Sequence, residues 1–311
     1  LPAESVMLQK ETPVAIHTNK KLRFPVSVEE YRHCHAVELR SSADFFQYPF
    51  DLVAFNDRLL RLDFSLIAHQ KISATLSSSN NVISPENIFI EKGAKLEFVT
   101  LNASTGPIYI GYNSEIMEGS VIRGPFALCE EAQVKLATKV YGATTVGPHC
   151  RIGGEVNNSV LFGYSNKGHD GFLGNAVLGE WCNIGADSNN SNLKNNYEEV
   201  KLWSYETGGF EKTGLQFCGL MMGDHSKCGI NTMFNTGTVV GVSTNIFGSG
   251  FPRNFVPSFS WGGAAGFTTY ITKKAFETAR IVMSRRQVEF TEQDARILEH
   301  VFEETKKWRK E

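Results

Sequence analysis

Aliphatic side chains recur at every sixth position through the middle of the chain. The series runs Ile110, Ile116, Ile122, Leu128, Val134, Val140, Val146 and Ile152. A helix face repeats about every 3.6 residues and a half-buried strand every 2, so neither has this period. A period of six is typical of a coil that turns a corner and repeats. The spacing therefore predicts a left-handed parallel β-helix of hexapeptide repeats, with the aliphatic side chains inside.

The residues four positions further along each repeat support this prediction. Most are small or β-branched, and Phe126 is the exception: Ser114, Ser120, Ala132, Thr138, Thr144, Cys150 and Val156. We expect them to pack beside the aliphatic residues at the corners. The period resumes at Phe172, Leu178 and Ile184, and again at Met222, Cys228, Phe234, Val240 and Ile246. With a weaker stretch at Ile90 and Leu96, the coil is predicted over about 82–252.

The flanking segments do not repeat, so we divide the chain into three parts. Residues 1–75 mix strand-like runs with a helical stretch, which predicts part of an α/β unit. Residues 76–270 form the β-helix domain, and 271–311 form C-terminal helices, with Thr291 as an N-cap. The chain begins at Leu1 without methionine, which predicts a fragment lacking its natural N-terminal portion.

Composition limits the partners and the compartment. The formal net charge of the 311 residues is −2, which predicts no nucleic-acid surface. The six cysteines form no CxxC pair, which predicts free thiols and no metal site. No apolar stretch approaches the roughly 20 residues that span a bilayer, and no signal-peptide pattern is present. We expect a soluble, cytoplasmic protein without membrane partners.

One long polar segment interrupts the repeat. From 187 to 219 the six-residue period is lost, and the segment 187–197 (DSNNSNLKNNY) is rich in asparagine. Long excursions from a regular coil are usually functional. The segment is therefore predicted to lie at or near a functional site.

Three sequence stretches resemble a known enzyme family. The segments 165–175 (SNKGHDGFLGN), 177–186 (VLGEWCNIGA) and 195–197 (NNY) resemble the acetyltransferase half of the bifunctional GlmU enzymes. Those enzymes acetylate glucosamine-1-phosphate and then transfer uridylyl to the product. Further stretches, including 219–227 (GLMMGDHSK) and 231–238 (NTMFNTGT), resemble divergent GlmU-family proteins of the Bacteroidetes type. The resemblance covers nearly the whole chain.

The resemblance implies an acyltransferase that takes its acetyl group from acetyl-CoA. His169 matches the family's general base, and an imidazole can take up a proton near neutral pH. The backbone N–H of Ala186 would meet the thioester carbonyl. Asn183, Asn196 and Tyr197 would line the sugar pocket, since amides and a phenol suit a polyol. Lys167, Lys201 and Arg123 lie nearest in sequence to the matched segments and are the candidate cations for the sugar phosphate.

The resemblance also implies a homotrimer, because adjacent β-helices share active sites in this superfamily. Residues 1–75 would be part of a nucleotidyltransferase-like unit, with Mg²⁺ needed only for that activity. Two positions depart from the family: Asn157 stands in place of a phosphate-binding lysine, and Phe172 in place of a tyrosine. The glycine-rich nucleotidyltransferase loop is absent from the sequence.

Three alternatives stay open at this point. The chain could be a sugar-1-phosphate nucleotidyltransferase (uridylyl- or thymidylyl-) whose β-helix serves oligomerisation, or a non-catalytic scaffold. A γ-class carbonic anhydrase shares the coil but needs zinc-binding histidines five apart. His149, His169 and His225 lack that spacing, which disfavours this third alternative.

Overall fold

The computed structural model describes residues 1–22, 26–40, 43–68 and 71–309, which form two compact units, Leu1–Gln47 and Tyr48–Glu311. The first unit holds helix α1 (Val28–Tyr31) and a three-stranded sheet. Its central strand Ser5–Gln9 pairs antiparallel with Thr12–His17 and parallel with His35–Glu38.

The second unit is a parallel β-helix of about 10 turns, which confirms the predicted fold class. The strands of successive turns form three faces, which we call A, B and C. Face A has nine strands: Ile88–Ile90, Ile108–Ile110, Phe126–Leu128, Thr144–Val146, Val160–Leu161, Val177–Leu178, Met221–Met222, Val239–Val240 and Phe255–Val256.

Faces B and C are each interrupted once. Face B comprises Lys95–Leu96, Glu115–Ile116, Gln133–Val134, Arg151–Ile152 and Asn166–Lys167, then Lys227–Cys228, Asn245–Ile246, Ser260–Gly263 and the antiparallel Gly266–Thr269. Face C comprises Asn81–Ile83, Thr100–Asn102, Val121–Arg123, Lys139–Tyr141, Glu155–Asn157 and Phe172–Gly174, then Asn189–Asn190 and Met233–Phe234. The corners between the faces are named AB, BC and CA.

The aliphatic period forms the core. All eight residues of the series from Ile110 to Ile152 are at most 2% exposed and belong to one cluster inside the coil. The smaller residues predicted beside them are also fully buried, for example Ser114 and Thr138. The hexapeptide prediction is therefore confirmed in this part of the chain.

The register changes beyond Ile152. Corner BC is two residues shorter at Gly153–Gly154, so Val156 is the next inward residue, four positions after Ile152. On the following turn Leu173, paired with Val156, is 2% exposed and points inward. The prediction that Phe172 lies in the core is wrong, because corner CA is one residue shorter on this turn. The inward residues Leu173 and Leu178 are therefore five apart instead of six, and Phe172 is left half-buried.

The remaining elements pack around the coil. Helix α2 (Asp51–Ala68) lies on face A, where the Nδ2 of Asn56 donates to the carbonyl of Ala143 at 2.7 Å. The 187–219 excursion carries a hairpin of strands Lys201–Ser204 and Gly209–Lys212, and its apolar residues cluster with those of face A. Short 3₁₀ turns lie at Pro85–Asn87 and Lys306–Trp308.

Two helices follow the last turn. These are α3 (Thr272–Ser284) and α4 (Glu292–Glu304). Thr291 caps α4 as predicted, since its hydroxyl accepts a hydrogen bond from the Asp294 N–H at 3.2 Å. None of the helices in the described ranges combines the length and apolar character needed to cross a membrane.

Candidate active site

His169 lies at corner BC, in the turn 168–171 between faces B and C, and its side chain is exposed. The next turn reaches the same corner at 185–187. The Asp187 N–H donates to the Asp170 carbonyl at 3.1 Å, which joins the two turns directly. Since neighbouring strands are about 4.8 Å apart, His169 and Ala186 occupy adjacent levels of one corner.

Of the two backbone polar groups of Ala186, only the carbonyl is hydrogen-bonded within the described residues. Its carbonyl accepts a hydrogen bond from the Asn231 N–H at 2.8 Å, whereas its own N–H has no hydrogen-bond partner among the described residues. The N–H groups of Glu118 and Leu136, earlier on the same corner, are also unpaired within that part of the chain. A free N–H is therefore a property of this corner, and what distinguishes Ala186 is a histidine one level away.

Asn183 and Asn166 form a pair of amides on face B beside the same corner. They occupy neighbouring rungs of the face, and the Nδ2 of Asn166 donates to the Oδ1 of Asn183 at 2.9 Å. Asn166 precedes His169 by three residues, and Asn183 precedes Ala186 by three. Sequence reasoning missed Asn166, although the rung register would have revealed it.

Lys167 lies inside the coil rather than on its surface. It is 1% exposed, and its ammonium donates to three backbone carbonyls, those of Gly153, His169 and Asp170. Burial lowers the pKa of Lys167 to about 8, although the nearby charge of Asp170 acts in the opposite direction. In this position the ammonium is held by the backbone and does not face the surface.

The other predicted residues lie away from His169 within the chain. Asn196, Tyr197 and Lys201 belong to the excursion, which leaves the coil after face C and folds onto face A. Corner BC is the corner opposite face A. Arg123 is exposed on face C, where it pairs with Asn102 on an earlier turn. The structure thus brings together His169, Ala186 and Asn183, with Lys167 beneath them.

Cations that the sequence reasoning missed lie on face B beside the amide pair. Arg151 is the rung between Gln133 and Asn166, and Lys135 donates to the Oε1 of Gln133 at 2.8 Å. Arg286, which follows α3, is the third cation near Arg151. The pKa values of Lys135 and Arg286 are lowered mainly by burial and then by the like charge of Arg151. Within the described ranges no carboxylate lies within 4.0 Å of these three cations, since no ion pair includes them.

His149 and His225 belong to a stack of aromatic rings at corner AB. His149 stacks on Tyr164 at 4.6 Å, Tyr164 on Trp181 at 4.1 Å, and Trp181 on His225 at 6.3 Å between ring centroids. His149 also contacts the carboxylate of Glu131 at 3.3 Å. Burial lowers the pKa of His225 to about 4. Both imidazole rings pack in this stack, which lies at a different corner from His169.

One group of potential metal ligands occurs among the described residues, in the first unit. Ligand atoms of Glu4, His33 and Cys34 all lie within 4.8 Å of one another. The Glu4 carboxylate already accepts hydrogen bonds from the Thr18 hydroxyl at 2.9 Å and the Asn19 N–H at 2.8 Å. The Glu4 carboxylate is therefore already hydrogen-bonded within the first unit. All six cysteines are free thiols.

Comparison with known proteins finds weak relatives. No protein-family model matches the chain. An Escherichia coli protein (strain 536) described as an uncharacterized acetyltransferase, YaiX, is 24% identical over 150 residues, which are 48% of this chain and 64% of that protein. Its counterpart from strain K12, described as putative, is 23% identical over the same shares. The chain therefore covers just under two thirds of the length of these curated relatives.

Solved structures with a similar coil include three transferases. A hexapeptide transferase family protein from Anaplasma phagocytophilum has a TM-score of 0.28 and 15% identity, covering 73% of this chain and 89% of that one. The UDP-N-acetylglucosamine acyltransferase of Francisella novicida has a TM-score of 0.31 and 13% identity, with coverage of 76% and 87%. The Arabidopsis enzyme of the same description has a TM-score of 0.30 and 16% identity, covering 68% and 80%.

Proposed function

We propose that this chain is an N-acetyltransferase of the hexapeptide-repeat type that uses acetyl-CoA and acts on an amino-sugar phosphate. The observation that carries the proposal is the pairing of an exposed histidine, His169, with the unpaired N–H of Ala186 one level away at the same corner. The GlmU-like segments around both residues support it. The curated relatives described as acetyltransferases support the reaction class.

The chemistry requires three events at this corner. The imidazole of His169 takes the proton from the substrate's ammonium, which frees the nitrogen lone pair to attack the thioester carbonyl. The N–H of Ala186 donates to the oxyanion as the carbon becomes tetrahedral. When the carbon–sulfur bond breaks, the thiolate leaves and receives a proton from the imidazolium. The attacking nitrogen loses its second proton to the regenerated imidazole, which passes it to solvent. The products are the amide, free CoA and one proton.

Face B supplies the groups that an amino-sugar phosphate needs. The amides of Asn166 and Asn183 can donate to and accept from sugar hydroxyls. Arg151 lies one rung from Asn166, on the side away from Asn183, and its guanidinium can bind phosphate oxygens in bidentate fashion. We therefore place the sugar beside the amide pair and the phosphate towards Arg151 and Lys135, with glucosamine-1-phosphate as the first acceptor to test.

A homotrimer would complete this site. Asn196, Tyr197, Lys201 and Arg123 lie on other parts of the coil, so they can serve this corner only from a neighbouring copy. Corner BC carries exposed apolar side chains on both sides of His169, which favour contact with another copy: Phe98 at 68%, Leu136 at 63%, Ile230 at 69% and Phe247 at 44% exposed. Light scattering coupled to size-exclusion chromatography would test for three copies.

The direct test is transfer itself. The chain is incubated with acetyl-CoA and a panel of amino-sugar phosphates, and free CoA and acetylated sugar are quantified by mass spectrometry. We expect His169→Gln to lower kcat by about 10²- to 10⁴-fold, the usual contribution of a general base. His300→Gln, at an exposed histidine in α4, is the matched control and should keep full activity. Silence of the wild-type chain across the panel would refute the proposal.

A further inference from the structure

Lys167 occupies a position that is apolar on every other described turn of face B up to Ile246. The inward residues of this column are Leu96, Ile116, Val134, Ile152, Ile184, Cys228 and Ile246, all at most 8% exposed. Taking an ammonium out of water costs several kcal/mol unless its donors are satisfied. A lysine in this column therefore needs compensating contacts from its surroundings.

The turn that carries His169 supplies those contacts. Lys167 Nζ lies 2.6 Å from the carbonyl oxygen of His169, 3.3 Å from that of Asp170 and 3.1 Å from that of Gly153. An ammonium has three donors, so all three are used. Two of the three acceptors belong to the turn 168–171 itself.

The shortened corner below explains why this turn needs a support. The turn rests directly on the Gly153–Gly154 pair, because a Cβ on Gly153 would lie 2.5 Å from the Gly168 oxygen and one on Gly154 2.7 Å from the Asp170 Cα. The lower corner has two residues fewer than the regular corners, so it cannot offer its own matching ladder to the longer turn. The His169 carbonyl therefore accepts from the lysine, which also donates to the Asp170 carbonyl beside the backbone bond from Asp187.

We propose that Lys167 is a positioning residue that fixes the turn 168–171 and thereby holds the imidazole of His169 in the geometry for proton transfer. The inference rests on the proposed function, in which His169 is the base. Lys167 itself is buried and touches no substrate. Its effect should therefore fall on the chemical step and leave substrate binding nearly unchanged.

Kinetics of two variants test the proposal. Lys167→Met keeps the length of the side chain without donors, and Lys167→Ile gives the column the side chain of Ile152 and Ile184. We expect kcat to fall about 10- to 100-fold in both, the scale of a small misplacement of a catalytic group. KM for acetyl-CoA and for the acceptor should stay within about twofold of wild type. Ile184→Met, one turn away in the same column, is the control for a core substitution and should leave kcat nearly unchanged.

Hydrogen exchange gives a readout that does not need activity. The amides of Asp187 and Glu155 donate to the Asp170 and Gly171 carbonyls, so their exchange reports on the turn, whereas the Lys135 amide, bonded to Ile152, reports on a regular corner. We expect the first two to exchange faster in Lys167→Met and the third to stay unchanged. Wild-type kcat with unchanged exchange in folded Lys167→Met would overturn the proposal, as would an equal kcat loss in Ile184→Met. If the wild-type chain transfers no acyl group, the proposed function fails, and exchange alone decides whether Lys167 holds the turn.

Discussion

Corner BC is built in two ways in the same molecule, and the difference separates the regular turns from the candidate site. Around Val134 and Val140 the corner keeps the six-residue period and buries only apolar and small side chains. Between Ile152 and Leu173 the corner first loses two residues and then carries a buried lysine under an exposed histidine. A regular repeat offers each turn the same backbone partners, whereas a change of length leaves polar groups that a side chain must satisfy. The irregular turn is where His169, the proposed base, reaches the surface.

The largest effect should come from the regular part. Ile122→Ala opens a cavity in the apolar stack, where the residue is fully buried. We expect the free energy of unfolding to fall by about 2–5 kcal/mol, while kcat and KM of the folded variant stay at wild-type values. Chemical denaturation and steady-state kinetics measure the two quantities. A large change in kcat would break the comparison, because it would mean that the regular turns also shape the site.

Lys167 should give the irregular turn a distinctive pH response. Its pKa is lowered from 10.5 to about 8, so between those values the unfolded chain binds a proton that the folded chain does not. The contribution of this group to the free energy of unfolding therefore rises with pH from about 8 to 10.5, by on the order of 3 kcal/mol. Asp170, Asp187 and Cys228 act on the same ammonium.

Buried cysteines and tyrosines titrate with the opposite sign at high pH, so the measurement compares wild type with Lys167→Met. Across this pH window, the free energy of unfolding of wild type should rise relative to that of the variant. If the difference in the free energy of unfolding between the two proteins stays constant from pH 7 to 10.5, the pKa of Lys167 is not lowered in the folded chain.

His225 should make the aromatic stack sensitive to acid. Its pKa is lowered to about 4 by burial and then by the charge of Lys227, with Asp294 acting in the opposite direction. Between about pH 6.5 and pH 4 the imidazole of His225 is protonated in the unfolded chain and neutral in the folded chain. This contribution to the free energy of unfolding is therefore lost as the pH falls through that range. Because the ring is partly exposed, we expect on the order of 2 kcal/mol. His225→Phe keeps a ring in the stack but cannot bind a proton. When the pH is lowered from 7 to 4, the free energy of unfolding of this variant should fall less than that of wild type.

Arg151 should give the smallest effect, confined to the acceptor. Arg151→Gln removes a cation beside Asn166, and we expect KM for the amino-sugar phosphate to rise about tenfold, or about 1.4 kcal/mol. KM for acetyl-CoA should stay constant. Arg280→Gln, on the exposed side of α3, is the control. An equal loss with the unphosphorylated amino sugar would remove Arg151 from the phosphate subsite.

The sequence pattern predicted the regular part of the fold well and the irregular part incompletely. The period from Ile110 to Ile152 specified the core because each residue there has the same environment. The same count misplaces Phe172, since the inward residues Leu173 and Leu178 are five apart rather than six, and this is invisible until the strands are paired. Lys167 is predicted as a cation for the sugar phosphate because it lies within a matched segment, whereas the carbonyls that hold its ammonium inside the coil are brought together only in the folded turn.

The residues of the candidate site that could be predicted are those to which the family resemblance assigns a role. His169, Asn183 and Ala186 were found through the matched segments, and the structure brings them to one corner. Asn166 and Arg151 follow from strand pairing rather than from any motif. The path of the excursion onto face A depends on apolar contacts such as those of Leu202, which no local pattern reveals.

The ring stack at corner AB gives the coil an intrinsic spectroscopic signal. Trp181 is 6% exposed, and its indole lies nearly parallel to the phenol of Tyr164, with 9° between the planes. Aromatic transitions held so close couple to one another, so this stack contributes to the near-ultraviolet circular dichroism, as does the stack of Trp203 on Phe255. The contribution of Trp181 and Tyr164 reports on the turns that also form the candidate site, and no label has to be attached.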